Sequence, residues 1–351
     1  MTAAEPLKSI LIVKMSAIGD VIMSLPALKA LRTKYPEAVI DWLVEPASAD
    51  LLVDHPDLDR LIILPRPEMR RLVKRGRLAR ATGIGAAYRR ELTAREYDVV
   101  LDLQGLLKSA AQVWLARGRR KVGFDRTREK SYWVLNEKIP AYDPERHALL
   151  RYLDAAVYLG TEFPAESPEN YYTPPPWARA EADELVGSWV GDRPYLVLNP
   201  GAKWATKRWP LEHWVELARL IAADGRLFVI TGGPDDAPAA EAIERQVRPG
   251  EALNICGHTS LSMLAAVLAG SAAMVTADTG PMHLAAAVGA GGLALFGPTR
   301  PNRTGPFGGR FQILTPPVDC LGCLKRQCPD PCLELLRPET VFERLREFPG
   351  Y

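Results

Sequence analysis

An aspartate near the N-terminus occupies a position that suits acid–base chemistry. Asp20 follows the apolar run Ile10–Val13 and a loop of small residues, and helical periodicity begins directly after it. Lys14, Ser16 and Gly19 belong to the same loop, at a strand end where open α/β sheets bind their ligands. The free N–H groups and the dipole of a helix N-terminus stabilise a carboxylate anion. Asp20 could therefore be a general base or only a helix cap, and this stretch leaves both interpretations open.

A turn in the second half of the chain has the features of an anion site. Asp278, Thr279 and Gly280 follow an apolar run that is predicted to be a strand, and Pro281 stands where a first helical residue is expected. Such a turn directs backbone N–H groups and the Thr279 hydroxyl out of a helix N-terminus. His283 in the following helix is a further candidate, although a helix cap and an ordinary helix histidine would explain the same residues.

A basic stretch follows another predicted strand. Lys203, Lys207 and Arg208 come after the apolar run Tyr195–Leu198. Three cations at the carboxyl end of a strand could bind a phosphate or a diphosphate. An exposed basic loop over packed tryptophans is the alternative. Together with the turn at Thr279, the stretch favours phosphate binding.

Several common nucleotide-binding motifs are absent from the sequence. It contains no Walker A motif, no complete G-x-G-x-x-G fingerprint and no G-x-S-x-G elbow. The pair Gly83 and Gly85 lacks the third glycine, and no predicted strand precedes it. These absences argue against a P-loop kinase and a standard dinucleotide dehydrogenase.

Strands and helices must alternate along the chain to position these residues. The predicted strands are Ile10–Val13, Val39–Val44, Leu61–Leu64, Tyr97–Leu103, Lys121–Phe124, Tyr195–Leu198, Leu227–Thr231, Ala273–Ala277 and Leu293–Phe296. Buried strands separated by helical segments indicate an α/β fold with parallel sheets. Thr173–Pro176 is the best candidate linker. We expect domains at 1–175 and 176–335, and a helix within 336–351 that crosses back to the first domain.

The charge of the chain is nearly balanced but unevenly distributed. The 351 residues include 44 Lys and Arg against 42 Asp and Glu. Between Arg66 and Arg95, however, ten cationic residues stand against two glutamates. This local field suits phosphates, acidic sugars or an anionic membrane surface, although a solvated helix pair would show the same run. We expect no nucleic-acid partner, because the segment has few aromatic residues and no recognisable motif.

The composition indicates a protein that stays in the cytoplasm. Hydrophobic residues make up 47% and charged residues 25% of the chain, as in soluble globular proteins. No apolar run is long enough for a transmembrane helix, and the N-terminus lacks the pattern of a signal peptide.

Four of the five cysteines lie close together in the sequence with the spacing C-x2-C-x4-C-x3-C. They are Cys320, Cys323, Cys328 and Cys332. In a cytoplasmic chain such a cluster points to metal before disulfides, and four thiolates could hold a structural zinc ion. Reduced, partly buried thiols are the simpler interpretation, and we predict no metal. Cys256 stands apart and is expected in a core.

Five stretches, in order over nearly the whole chain, resemble the lipopolysaccharide heptosyltransferases of glycosyltransferase family 9. They are Val13–Asp20 with Leu25–Leu28, Leu103–Ser109, Thr206–Pro210, Asp278–Gly280 with His283, and Phe296–Thr299. The second stretch is similar to the heptosyltransferase I branch in particular. Each stretch is short, but five in register form a specific match.

The resemblance implies a GT-B fold, two Rossmann-like domains with a cleft between them. It implies an inverting, metal-independent transfer from ADP-heptose to the Kdo-bearing lipid A inner core, by an enzyme peripheral to the cytoplasmic face of the inner membrane. Asp20 corresponds to the general base of the family. The corresponding donor-binding residues are Lys207, Asp236, Asp278, Thr279, Gly280 and His283. The candidates for acceptor binding are Ser16, Gly19, Arg66, Lys108 and Arg120.

This reaction agrees with the residue chemistry described above. An inverting transfer needs a base on the face opposite the leaving group, and positive charge or N–H dipoles at the departing diphosphate. The loop Asn199–Ala202, however, looks more like the heptosyltransferase II branch. A family 9 enzyme with another nucleotide sugar or acceptor is therefore an alternative, and a non-catalytic nucleotide-sugar-binding protein is another. A binding protein would need Lys207 and the Thr279 turn but no base at Asp20.

Overall fold

Two parallel sheets organise the chain in the computed structural model, which describes residues 6–127, 129–165, 168–308 and 310–351. The chain divides into two units, Met1–Glu166 and Ser167–Tyr351. Each unit contains one six-stranded sheet with helices packed against it. The stretch Thr173–Pro176, predicted as a linker, lies within the second unit.

The first unit alternates strands and helices. Its strands are β1 Ser9–Val13, β2 Val39–Val44, β3 Arg60–Ile63, β4 Glu96–Asp102, β5 Arg117–Phe124 and β6 Glu137–Ile139. Its helices are α1 Ile18–Lys34, α2 Pro46–Ala49, α3 Arg66–Lys74, α4 Leu78–Leu92, α5 Leu107–Leu115 and α6 Ala148–Tyr158, with 3-10 turns at Asp50–Leu52 and Ser131–Val134. The strand order β3-β2-β1-β4-β5-β6 reverses between β1 and β4. In this Rossmann order, ligands bind at the carboxyl ends of the two strands at the reversal.

The second unit repeats this topology. Its strands are β7 Tyr195–Asn199, β8 Leu227–Ile230, β9 Ala252–Asn254, β10 Ala273–Ala277, β11 Gly291–Leu295 and β12 Arg310–Leu314. Its helices are α7 Pro176–Ala182, α8 Ser188–Val190, α9 Leu211–Ala223, α10 Ala237–Glu244, α11 Leu261–Ala269, α12 Gly280–Ala287, α13 Pro301–Thr304 and α14 Pro338–Arg346. Shorter helical turns are Asp183–Gly187, Ala205–Lys207, Pro234–Asp236 and Cys332–Leu335. The order β12-β11-β10-β7-β8-β9 reverses between β7 and β10.

All nine predicted strands are present, whereas β6, β9 and β12 were not predicted. These three strands lie at sheet edges, are three to five residues long, and are only partly buried. A short edge strand needs no continuous apolar run, because one side and much of its surface face solvent. The pattern that reveals a buried strand is therefore missing from them.

The last helix packs in the core of the second unit. Val341, Leu345 and Phe348 are buried in one core with Trp214 and Leu217 of α9. Their spacing places all three on one face of the C-terminal segment. The second unit therefore includes the segment that was predicted to form a separate C-terminal crossover.

One face of the first sheet is covered by α4 and α5. Tyr88 and Leu92 of α4 share a core with Val113 of α5 and with Leu11 and Val13 of β1. Helices α1 and α6 pack against each other elsewhere in the same unit. Within the described residues, no helix combines the length and the apolar character needed to span a bilayer.

Candidate functional site

Asp20 is held at both carboxylate oxygens in the first turn of α1. The Ala17 N–H donates to its Oδ2 at 3.3 Å, and the Tyr152 hydroxyl donates to its Oδ1 at 2.7 Å. Lys14 Nζ donates to the same hydroxyl at 2.7 Å and lies 3.9 Å from Asp20 Oδ1. The Asp20 side chain nevertheless remains 37% exposed. The carboxylate therefore has a fixed position and is still accessible to a substrate.

Lys14 is a buried cation between two carboxylates. It follows β1, and its Nζ also donates to the Leu103 carbonyl oxygen at 3.3 Å. Burial lowers the pKa of Lys14, while the charges of Asp20 and Asp102 oppose that shift. Burial likewise raises the pKa of Asp102, against hydrogen bonds from the Gly105 N–H and other donors. The reversal point between β1 and β4 thus contains a compact set of ionisable groups.

Two of the predicted acceptor residues contact Glu45, and a third contacts one of those two. Lys108 Nζ donates to Ser16 Oγ and, at 3.0 Å, to Glu45 Oε1. Arg66 Nη1 lies 3.5 Å from the same Glu45 oxygen. Gly19 is buried beside Asp20 in α1. The structure therefore joins Lys108 and Arg66 through a glutamate that the sequence did not single out, and Ser16 is joined to them through Lys108.

Arg120 is not part of this group. Its guanidinium donates twice to the Glu137 carboxylate at 2.7 Å, and this pairing raises the pKa of Arg120. Tyr35 and Tyr158, at the C-terminal ends of α1 and α6, also raise the pKa of Arg120 through their charges. Because α1 begins near Asp20, at the carboxyl ends of the strands, the C-terminal end of α1 lies near the amino ends of the strands. Arg120 is therefore paired with Glu137 at the opposite end of the strands from Asp20.

Lys207 in the second unit is held by a short ion pair. Its Nζ donates to Asp278 Oδ2 at 2.6 Å and to the Asp278 carbonyl oxygen at 3.3 Å. Their side chains are only 15% and 6% exposed. The ammonium group also lies 4.7 Å from the centre of the Trp204 ring. These contacts fix one positive charge at the carboxyl end of β10.

Thr279 directly precedes α12, and its side chain does not cap the helix. Its Oγ1 lies 3.3 Å from Thr276 Oγ1 and 3.5 Å from Asn199 Nδ2, and its side chain makes no hydrogen bond to the helix. The first N–H groups of a helix have no partner within the helix, so an anion can bind them. Gly280 is the first residue of α12, and His283 is buried in its second turn.

Asp236 occupies space left by two glycines. Its Oδ2 accepts a hydrogen bond from the Gly233 N–H at 3.0 Å. A Cβ atom at Gly201 would lie 2.2 Å from this oxygen, and one at Gly232 would lie 2.9 Å from Asp236 Cβ. Gly201 follows β7, and Gly232 follows β8. The structure thus brings Asp236 to the same sheet edge as Lys207 and Asp278.

Residues 86–334 match the model of glycosyltransferase family 9 (heptosyltransferase). The lipopolysaccharide heptosyltransferase 1 of Pseudomonas aeruginosa is 34% identical over 325 residues, which cover 91% of this chain and 87% of that protein. The chain belongs to glycosyltransferase family 9. The structure of Escherichia coli heptosyltransferase WaaC with ADP aligns with a TM-score of 0.79 and 30% identity, covering 97% of this chain and 99% of that one. WaaC with ADP-2-deoxy-2-fluoro heptose aligns with a TM-score of 0.77 and 29% identity over the same shares.

Membership in family 9 confirms the predicted fold class and enzyme class. Both sheets have the Rossmann strand order, and the aligned WaaC structures share the GT-B fold. The chain is thus a glycosyltransferase of the heptosyltransferase family.

None of the four clustered cysteines is among the site residues described above. Cys320 and Cys323 are exposed, Cys328 and Cys332 are half-buried, and all four are reduced. Burial and the neighbouring thiols raise the pKa of Cys332. Among the described residues, no three His, Cys, Asp or Glu side chains are arranged to hold a metal ion. Cys256 lies in the second core as predicted, and burial together with Asp236 raises its pKa to about 11.

Tyr152 and Glu45 are the site residues that the sequence analysis missed. Tyr152 lies on the buried face of α6, 132 residues from Asp20. Glu45 directly follows β2, the neighbour of β1. A search for polar residues just after every predicted strand would have found Glu45, whereas no local pattern marks Tyr152.

Proposed function

We propose that this glycosyltransferase transfers heptose from ADP-heptose to the Kdo-bearing lipid A inner core of lipopolysaccharide, with inversion at the anomeric carbon. The observation that carries the proposal is the Asp20 carboxylate, bound at both oxygens and still exposed. A transferase needs such a base for the acceptor hydroxyl, whereas a binding protein does not. The WaaC complexes with ADP and an ADP-heptose analogue support this choice of donor.

In this reaction Asp20 takes the proton of the acceptor hydroxyl. The hydroxyl oxygen forms a bond to the anomeric carbon, and the bond from that carbon to the diphosphate oxygen breaks. Attack from the face opposite the leaving group inverts the configuration. Lys207 and the first N–H groups of α12 would stabilise the charge that develops on the departing diphosphate. The first unit would supply the base, and the second would supply the donor site.

The acceptor in this proposal carries phosphates and carboxylates. Ser16, Gly19, Arg66 and Lys108 are the residues proposed to bind it, and the cations between Arg66 and Arg95 would attract its negative charge. Arg120 is omitted, because it lies level with the start of β1, at the opposite end of the strands from Asp20. We place the reaction at the cytoplasmic face of the inner membrane, without a metal cofactor.

The decisive experiment replaces the base and keeps its shape. Asp20→Asn should lower kcat at least about 10²-fold, the usual scale for a general base. Its affinity for ADP, measured by calorimetry, should stay at the wild-type value, because the proposed donor residues are elsewhere. Asp54→Asn, a change at an exposed aspartate, is the matched control. An Asp20→Asn enzyme with wild-type turnover would contradict the proposal.

A second candidate concerns the acceptor. The loop Asn199–Ala202 resembles the heptosyltransferase II branch, whose acceptor would already carry a heptose. Incubation with ADP-heptose and either Kdo-lipid A or its heptosylated form separates the two, with mass spectrometry of the product. Replacing ADP-heptose by other nucleotide sugars in the same assay tests the identity of the donor.

A further inference from the structure

Helix α5 presents apolar side chains to solvent. Leu107 and Trp114 are 62% and 70% exposed, and their spacing of two turns places them on one face of the helix. Ala111, between them on that face, is also exposed. Trp133, in the 3-10 turn Ser131–Val134 that packs on α5, is 75% exposed. Large apolar side chains grouped on a surface mark an interaction site more often than scattered ones do.

The segment of the sequence that contains this apolar face is basic. From Leu107 to Lys138 the sequence contains nine Lys and Arg against three Asp and Glu, a net charge of +6 in a chain whose total is +2. Lys121 Nζ donates to the Trp114 carbonyl oxygen at 3.0 Å, which places a cation at the backbone of Trp114. Glu129 is the acidic neighbour, and it accepts the Leu107 N–H at 2.9 Å at the start of the helix.

The basic helix pair α3 and α4 continues this surface. Helix α4 lies beside α5, because Tyr88 of α4 donates a hydrogen bond to Gln112 of α5 and both helices share one core. Helix α3 packs on α4. Val73 and Leu78, near the turn between them, are 52% and 59% exposed. Exposed apolar residues therefore recur among the ten cations between Arg66 and Arg95.

We propose that this surface, formed by α3, α4, α5 and the turn Ser131–Val134, docks on an anionic lipid bilayer with Trp114 and Trp133 in the headgroup region. Tryptophan rings favour that region, and each nearby cation adds attraction to anionic lipids. A second copy of this chain fits less well, because two surfaces of the same charge repel each other. The proposal rests on the proposed function in one respect, the lipid nature of the acceptor.

The position of α5 relates the surface to the catalytic loop. Lys108, the second residue of α5, donates a hydrogen bond to Ser16, four residues before Asp20. A lipid acceptor held by a bilayer at α5 would thus have its headgroup sugars near the loop that carries the base. The docking surface and the acceptor residues lie in the same unit.

The test measures sedimentation of the full chain with vesicles of phosphatidylglycerol and phosphatidylcholine, and with phosphatidylcholine alone. Wild type should bind the anionic vesicles, and Trp114→Ala/Trp133→Ala should lower the partition coefficient at least about tenfold. Arg77→Glu/Arg80→Glu should lower it on anionic vesicles in the same way. Tyr158→Ala, at an exposed aromatic residue of α6, is the control and should bind as wild type does. Thermal unfolding would verify that each variant folds.

Two outcomes would overturn the docking proposal. One is undiminished binding by the tryptophan double variant, and the other is a change from dimer to monomer in that variant by light scattering. An O-deacylated, water-soluble acceptor separates this proposal from the proposed function. The double variant should keep wild-type kcat on that acceptor and lose activity only on vesicle-bound acceptor. A wild-type enzyme inactive on both acceptors would contradict the proposed function, while the vesicle data would still decide the docking surface.

Discussion

At the scale of single residues, the hydroxyl of Tyr152 connects the proposed base to a buried lysine. It donates to Asp20 and accepts from Lys14, both at 2.7 Å. Without the hydroxyl, the ammonium group of Lys14 would keep the Leu103 carbonyl at 3.3 Å, Asp20 at 3.9 Å and the face of the residue-152 ring at 4.4 Å, but would lose its shortest hydrogen bond. Tyr152 is therefore a positioning residue, and the burial that lowers the pKa of Lys14 makes its hydrogen bonds costly to lose.

The substitution Tyr152→Phe tests this role. We expect the free energy of unfolding to fall by about 1–3 kcal/mol, because a buried donor loses its acceptor. We also expect kcat to fall while the affinity for ADP is unchanged, since the hydroxyl fixes Asp20 and not the donor. Urea denaturation and steady-state kinetics measure the two effects. Tyr158→Phe on the same helix is the control, and equal losses in both variants would argue against a specific role.

The pair of Lys207 and Asp278 combines stability with donor binding. Lys207→Ala should lower the free energy of unfolding by about 3–5 kcal/mol, because it leaves a buried carboxylate without its partner. The double variant Lys207→Ala/Asp278→Ala should recover much of that loss. Neither variant should bind ADP well, because both lack the ammonium group proposed to hold the diphosphate. Recovery of ADP affinity in the double variant would show that Lys207 acts only through Asp278.

At the scale of elements, glycine positions along α3 and α4 differ in what they require. Gly83 lies inside α4, and a Cβ atom there would meet no atom within 4 Å. Gly76, between the two helices, has a φ of +70°. The helix at Gly83 requires neither the small size nor the conformational freedom of glycine. Gly76, by contrast, has a backbone conformation that other residues rarely adopt.

Gly83→Ala should therefore stabilise the chain by about 0.5–1 kcal/mol, because alanine loses less backbone entropy in a helix. Gly76→Ala should destabilise it by about 1 kcal/mol, because alanine is strained at positive φ. Thermal unfolding of the two variants side by side provides the comparison. A destabilised Gly83→Ala variant would mean that α4 is packed differently around that position.

At the scale of the whole molecule, the two units have separate sheets and separate cores. The proposed base Asp20 and its ionisable neighbours Lys14 and Asp102 belong to the first unit. All proposed donor residues belong to the second unit. A ligand with only the nucleotide part of the donor should therefore act on one unit.

ADP at a free concentration of about 100 times its Kd should stabilise the conformation that binds it by about 2.7 kcal/mol. We expect slower hydrogen exchange in the loops after β7, β8 and β10, and unchanged exchange in the loop from Lys14 to Asp20. Peptide-resolved mass spectrometry measures both regions in one experiment. Protection confined to the loop of Asp20 would place the nucleotide in the first unit and contradict the donor assignment.

The sequence alone determined the interior of both sheets and the loops at the reversal points. Nine of the twelve described strands, and the places of Asp20, Lys207 and Asp278 in the segments that follow strands, are predicted by local patterns of apolar and small residues. Such patterns are local because a buried strand must be apolar along its own length, and the turn after it must suit the helix that follows.

Only the tertiary structure decided which distant residues meet. Arg120 carries a charge suited to an acceptor, but β6 supplies Glu137 to pair with it. The last helix has an apolar face that could pack on either unit, and α9 supplies the complementary surface. Asp20 caps α1 through the Ala17 N–H, and only the structure shows that Tyr152 and Lys14 also lie beside it. These outcomes depend on contacts between residues far apart in the chain, and a pattern of neighbouring residues carries no information about such contacts.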